Sequence, residues 1–135
     1  MSDQTQISTI RLVEAFEQVR TYPAAEAIDV GDVVGINSGG AVVAARASTG
    51  PILPKGIALN AAVIYGHVDV VRNALLDVGN VLGGLAYGAL VYASDTAGLL
   101  DDSNTGSLAA IGEVVPAPGV VTTYDKLLRL KIGAR

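Results

Sequence analysis

The chain has 135 residues, no cysteine, no tryptophan and one histidine; half of it is hydrophobic, 16% is charged, and the net charge is −4. A single domain is expected at this length, and the missing residues exclude disulfide scaffolds, thiol chemistry, cysteine zinc sites and any centre built on two imidazoles, while the acidic balance argues against a binder that neutralises nucleic-acid phosphates. With 20 Ala, 18 Val and 16 Gly, the core is expected to come from close approach of many short strands, and the apolar surplus points to surface buried against a partner.

In chain order, residues 1–6 lack a basic region followed by an apolar core, so no secretory signal is expected. Ile7, Ile10, Val13, Phe16 and Val19 then recur every three residues, with Glu14, Glu17 and Arg20 off the stripe. This suits an extended arm or strand that docks on something else, the alternative being a short capping helix. Pro23 bars Tyr22 from helix and opens β structure. Residues 27–36 read as a turn and a strand, Asn37-Ser38-Gly39-Gly40 as a hairpin turn, and 41–45 as the returning strand. Gly50-Pro51 and Pro54-Lys55-Gly56 punctuate a loop before a short strand at 57–59. Further strands are expected at 67–72, 74–78, 90–93, 98–100, 110–115 and 126–132, with turns at 94–97 and 116–119 and a polar loop at 101–106. Short strands with turns about every ten residues predict an all-β sandwich or barrel.

A weak internal repeat runs through this pattern. Gly31-Asp32-Val33-Val34, the turn at 37–40 and Lys55-Gly56-Ile57-Ala58-Leu59 form one unit; Gly88-Ala89-Leu90-Val91, the turn at 94–98 and Ala110-Ile111-Gly112-Glu113-Val114 form the other. The alternative is chance similarity in a Gly/Val-rich chain. Charge is uneven as well: residues 1–26 carry −2, residues 27–113 carry −5 and residues 114–135 carry +3, which suits either complementary neighbours in an assembly or a solvated last strand.

No motif carries a complete chemistry. In Gly50-Pro51-Ile52-Leu53-Pro54-Lys55-Gly56, two prolines remove the N–H donors that a phosphate loop needs, and the lysine precedes the glycine. Ser94-Asp95-Thr96-Ala97-Gly98 has alanine where an aspartic-protease turn needs glycine, so a hairpin turn is expected. Asp101-Asp102-Ser103-Asn104-Thr105-Gly106 fits a calcium loop in neither register, because glycine at the sixth place and glutamate at the twelfth never coincide. Lys126 in Tyr124-Asp125-Lys126-Leu127 opens the final strand instead of tipping a swinging-arm hairpin, and His67 reads as a strand-end or interface histidine. The uncharged run 78–94 is flanked by Asp77 and Asp95 and broken by Gly79, Gly83, Gly84 and Gly88, so strand, turn and strand are expected, not a membrane span. Asp29, Asp69 and Asp95 lack the spacing of a metal-dependent nucleotide pyrophosphatase.

Four segments, in order, carry a resemblance: Ala27-Ile28-Asp29-Val30-Gly31-Asp32-Val33-Val34, Pro54-Lys55-Gly56-Ile57-Ala58-Leu59, Gly88-Ala89-Leu90-Val91-Tyr92-Ala93-Ser94-Asp95-Thr96-Ala97-Gly98, and Ala110-Ile111-Gly112-Glu113-Val114-Val115. Over residues 22–132 the chain resembles the small head decoration proteins of tailed bacteriophages. The resemblance implies a compact all-β barrel of the β-tulip type, spanning residues 22–135, that forms a homotrimer on the outer face of the expanded capsid. Its partners would be the major capsid protein and itself. It implies no catalytic residue, cofactor, metal, nucleic acid or membrane, and a site of action on the virion after synthesis in the bacterial cytoplasm. An N-terminal arm, residues 1–21, would reach along the lattice, with Ile10, Arg11, Val13, Phe16 and Arg20 as the capsid-binding residues. The alternative is another virion role, such as a head fibre base or tail-tube element.

Overall fold

Short runs of Val, Ile and Leu broken by turn residues become strands throughout, with no helix among the residues that the computed structural model describes: 7, 9–44, 54–79, 81–94, 98–102, 110–116 and 126–132. Eleven strands lie in that set: β1 (Arg11–Ala15), β2 (Arg20–Pro23), β3 (Val33–Ile36), β4 (Val42–Ala44), β5 (Gly56–Ala58), β6 (His67–Val71), β7 (Asn73–Asp77), β8 (Leu90–Ala93), β9 (Leu100–Asp101), β10 (Gly112–Pro116) and β11 (Lys126–Lys131). The expected all-β class of short strands is therefore the one observed. The expected hairpin at 37–40 is present: the Asn37 side-chain oxygen accepts from the Gly39 and Ala41 amides at 2.9 and 3.0 Å, and Gly40 takes φ +83°.

Two antiparallel sheets result, ordered β1-β7-β11-β10-β8-β9 and β2-β6-β5-β3-β4. Apart from β1, they repeat one topology strand for strand. In each, a hairpin (β3–β4 or β8–β9) is joined on its other side by a return strand (β5 or β10), then by the next strand (β6 or β11), then by the first strand of the unit (β2 or β7). The backbone bonds match as well. The Gly31 and Gly88 amides donate to Ala58 and Val114 carbonyls, while the Ala58 and Val114 amides donate back to Asp32 and Ala89. The repeat in the sequence is thus a structural repeat, each unit closing over its own return strand.

The five-stranded sheet curls until its ends meet: Ala24 forms a parallel bridge with Val42, and the Ala25 amide donates to the Val42 carbonyl at 2.9 Å. Closure satisfies edge groups that would otherwise face water. It also explains why β3, β5 and β6 carry adjacent apolar residues instead of a clean alternation. Val33, Ile57 and Val71 point into the larger core shared with the six-stranded sheet, whereas Val34, Ala58 and Val70 point into the smaller core inside the curl. A sheet buried on both faces reads as a continuous hydrophobic run.

One ribbon serves both sheets. The chain passes from β6 to β7 through Arg72, and the N-terminal segment runs antiparallel along it, β1 on β7 and β2 on β6. Ile7 is buried in the larger core and lies over Gly31, where a Cβ would meet the Ile7 side chain at 2.6 Å and the Ile7 carbonyl at 2.7 Å. Gly31 also has φ +82°, so glycine is required there on two counts. Of the stretch expected as an arm, Ile7 is thus buried in the body, and Arg11–Ala15 and Arg20–Pro23 are strands of it, not the helix that the three-residue spacing allowed.

Candidate interaction surface

β1 is the outer strand of the six-stranded sheet, and no described strand pairs with its free side. Its register slips between Leu12 and Glu14, which leaves Val13 as a bulge residue. Leu12, Val13 and Phe16 are 36%, 39% and 45% exposed along this sheet edge, with Leu12 beside Leu76 and Phe16 beside Asn73 on the opposite face. Phe16 is held in place from two sides. Its amide donates to the Asn73 carbonyl at 2.9 Å, and the Arg129 guanidinium sits 4.3 Å from its ring centroid. Arg129 is itself fixed by hydrogen bonds to the Asn73 side chain (2.8 Å) and the Leu130 carbonyl (2.6 Å). Arg11 pairs with Asp77 at 3.1 Å across the exposed end of the same strand pair.

The five residues expected in the capsid-binding arm therefore divide. Arg11, Val13 and Phe16 are exposed along this edge. Ile10 packs against the larger core, and Arg20 lies beyond the break between β1 and β2, in a cleft of about 230 Å³ lined also by Glu17, Gln18, Tyr22, Lys55 and Arg72. In the cleft, Arg72 donates to Glu17 at 2.7 and 3.4 Å. That hydrogen bond, with smaller electrostatic help from Arg72 and Arg20, holds the Glu17 carboxyl below its ordinary value, and the carboxylate in turn raises Arg72.

Sequence reasoning missed a second apolar projection. Val63, Ile64 and Tyr65 are 74%, 49% and 81% exposed at the turn before β6, and Tyr65 adopts φ 70°, a left-handed conformation that L-residues avoid. Three consecutive apolar residues closed by Gly66 were the available signal. Tyr87 and Leu90 form a further exposed pair, with the Lys126 ammonium 5.7 Å from the Tyr87 ring centroid.

The remaining motifs are placed as follows. His67 is exposed at the start of β6, a strand-end position as expected. Lys126 opens β11 and donates to the Gly83 and Leu85 carbonyls at 3.1 and 2.6 Å, a structural engagement. Lys55 donates its amide to the Val34 carbonyl as part of the sheet, while the preceding part of its loop, residues 50–53, lies outside the described residues, as do 95–97, 103–106 and 124–125. Asp69 is bound to the Thr21 hydroxyl at 2.6 Å, and Asp29 stands apart on an exposed turn. Among the described residues, no three His, Asp or Glu side chains gather as a metal site, and no helix is long and apolar enough to cross a membrane. No protein-family model matches this chain, and no curated protein matches it.

Proposed function

We propose that this protein is a structural virion component: a trimeric decoration protein that binds the outer surface of the expanded phage capsid and bridges neighbouring major capsid subunits, with no catalytic step. The observation that carries this reading is the apolar edge formed by Leu12, Val13 and Phe16 on a strand whose outer side is unpaired among the described residues. Such an edge offers main-chain pairing and side-chain burial together, which is how an extended segment of another subunit adds to a sheet. The Arg11–Asp77 pair and Arg129 give that apolar centre a charged rim, the usual arrangement of a contact patch. Three such patches on one trimer would multiply individually weak contacts. The sequence resemblance over residues 22–132 points the same way.

The test is binding of the full chain to emptied, expanded capsids, scored by co-sedimentation and by the temperature at which the heads disrupt. The wild-type chain is expected to bind, to raise that temperature and to have the native mass of a trimer. A Val13→Asp, Phe16→Asp variant is expected to keep its circular dichroism spectrum and lose binding. These point changes are cleaner than deleting residues 2–20, because the deletion would also remove Ile7 from the core and β1 from the sheet. Full binding by the variant would overturn the edge as the contact; a hexameric ring without capsid binding would favour a tail-tube element.

A further inference from the structure

The repeated topology allows each position of one sheet to be compared with its counterpart in the other. Lys55 and Ile111 correspond, since their amides donate to Val34 and Val91 at 2.7 and 2.8 Å in matching places. Arg20 faces Val70 on β6 and Leu76 faces Leu128 on β11, while Val70 and Leu128 face the corresponding residues Ala58 and Val114. Arg72 follows Val71 at the level of Gly56, and Leu130 faces the corresponding Gly112. The second sheet thus buries Leu76, Ile111 and Leu130 completely, whereas the first sheet places Arg20, Lys55 and Arg72 at the same three positions.

The physical consequence is a cleft in place of a core. Three cationic side chains cannot be packed together away from water without compensating charge, and here they line an opening of about 230 Å³. Among the described lining residues Glu17 is the one acid, and it is held by Arg72 at 2.7 Å, so it leaves the charge of Arg20 without a hydrogen-bonded counterion in the cleft. The Arg20 side chain makes no hydrogen bond or ion pair with the described residues; it acts on Glu17 electrostatically. Gln18, Tyr22, Ile36 and Val70 complete the lining. Low-dielectric walls beneath clustered positive charge concentrate the local potential. Planar guanidinium groups match the oxygens of phosphate-type anions in bidentate fashion.

We infer that this cleft is a binding site for an oxyanion of the phosphate type, either inorganic phosphate or a phosphate monoester, with Arg20 as its principal ligand and Arg72 shared between the anion and Glu17. The inference is independent of the capsid reading.

Isothermal titration and amide NMR of the full-length protein near neutral pH test it, with inorganic phosphate, phenyl phosphate and potassium chloride at matched ionic strength. Saturable binding of phosphate or of the ester, with chloride inert, is expected; binding of the ester alone assigns the site to phosphorylated compounds, and binding of both assigns it to the free anion as well. Arg20→Gln is expected to weaken binding about tenfold or more, as loss of a charge-assisted hydrogen bond does. Glu17→Gln is expected to tighten it, by freeing Arg72 and raising the positive charge of the cleft, an effect that a merely structural role would not produce. Circular dichroism confirms that each variant is folded. A response that chloride reproduces, that Arg20→Gln leaves unchanged, or that Glu17→Gln weakens would overturn the assignment.

Discussion

Gly56 and Gly112 occupy the same place in the two return strands, and both sit where a neighbouring backbone passes too closely for any side chain. A Cβ at Gly56 would meet the Val71 carbonyl oxygen at 2.7 Å and crowd Val70; one at Gly112 would meet the Arg129 carbonyl oxygen at 2.8 Å and Leu128 at 2.9 Å. The obstructing oxygens belong to paired strands and cannot swing aside. Gly56→Ala and Gly112→Ala are therefore each expected to cost about 1–3 kcal/mol, the range for overpacking, measured by urea denaturation at constant slope. Glu17 makes a prediction of a different kind. Its carboxyl is held below the ordinary value of 4.5, chiefly by the hydrogen bond from Arg72. A depressed carboxylate contributes stability above its unfolded value and loses it as pH falls through its folded value. On an exposed pair the effect is small. In acid titrations followed by thermal unfolding, the wild-type chain is expected to lose slightly more stability below pH 4.5 than Glu17→Gln, and the two to run parallel above it.

Among the elements, the turn before β6 and the N-terminal strands repay comparison with the sequence. Tyr65 holds φ 70° while almost fully exposed, so the strain is not offset by burial of its ring. Tyr65→Gly removes about 1–2 kcal/mol of left-handed strain and returns part of it as unfolded-state entropy. A net gain of about 0.5–1 kcal/mol is expected, seen as a rise in Tm of a few degrees. If Tm falls instead, the tyrosine contributes contacts that its exposure does not suggest. The N-terminal strands show why a periodicity can mislead. Ile7, Ile10, Val13, Phe16 and Val19 recur every three residues, which fits a helix as well as a strand. In the fold, the bulge at Val13 and the break between Ala15 and Arg20 insert extra residues into what would otherwise be a period of two. By contrast, the turn chemistry of Asn37-Ser38-Gly39-Gly40 is local, and it was legible without any tertiary information.

Over the whole molecule, two units of one topology share a ribbon, and the larger core lies where they meet. β7 and β11 are interior strands of the six-stranded sheet, with Ala74, Leu76, Leu128 and Leu130 fully buried, whereas β1 and β9 are its edges. Native-state hydrogen exchange is expected to be slowest in β7 and β11 and faster along β1, because opening an edge breaks fewer bonds and exposes less apolar surface. Uniform protection across all eleven strands would contradict this gradient. The half-apolar, cysteine-free composition determined the class of the fold, the tight turns and the expectation of short strands, since each depends on residues adjacent in the chain. It also contained the repeat, because both units use the same glycine and valine pattern. Only the tertiary structure decided which sheet each strand joins, how the five-stranded sheet closes through Ala24 and Val42, and that Arg20, Lys55 and Arg72 line one cleft. The reason is distance along the chain. Pairing between strands many residues apart is set by how the two cores fill, and the counterparts of those three cations in the second unit are buried Leu and Ile, a contrast that appears only when the two sheets are laid in register.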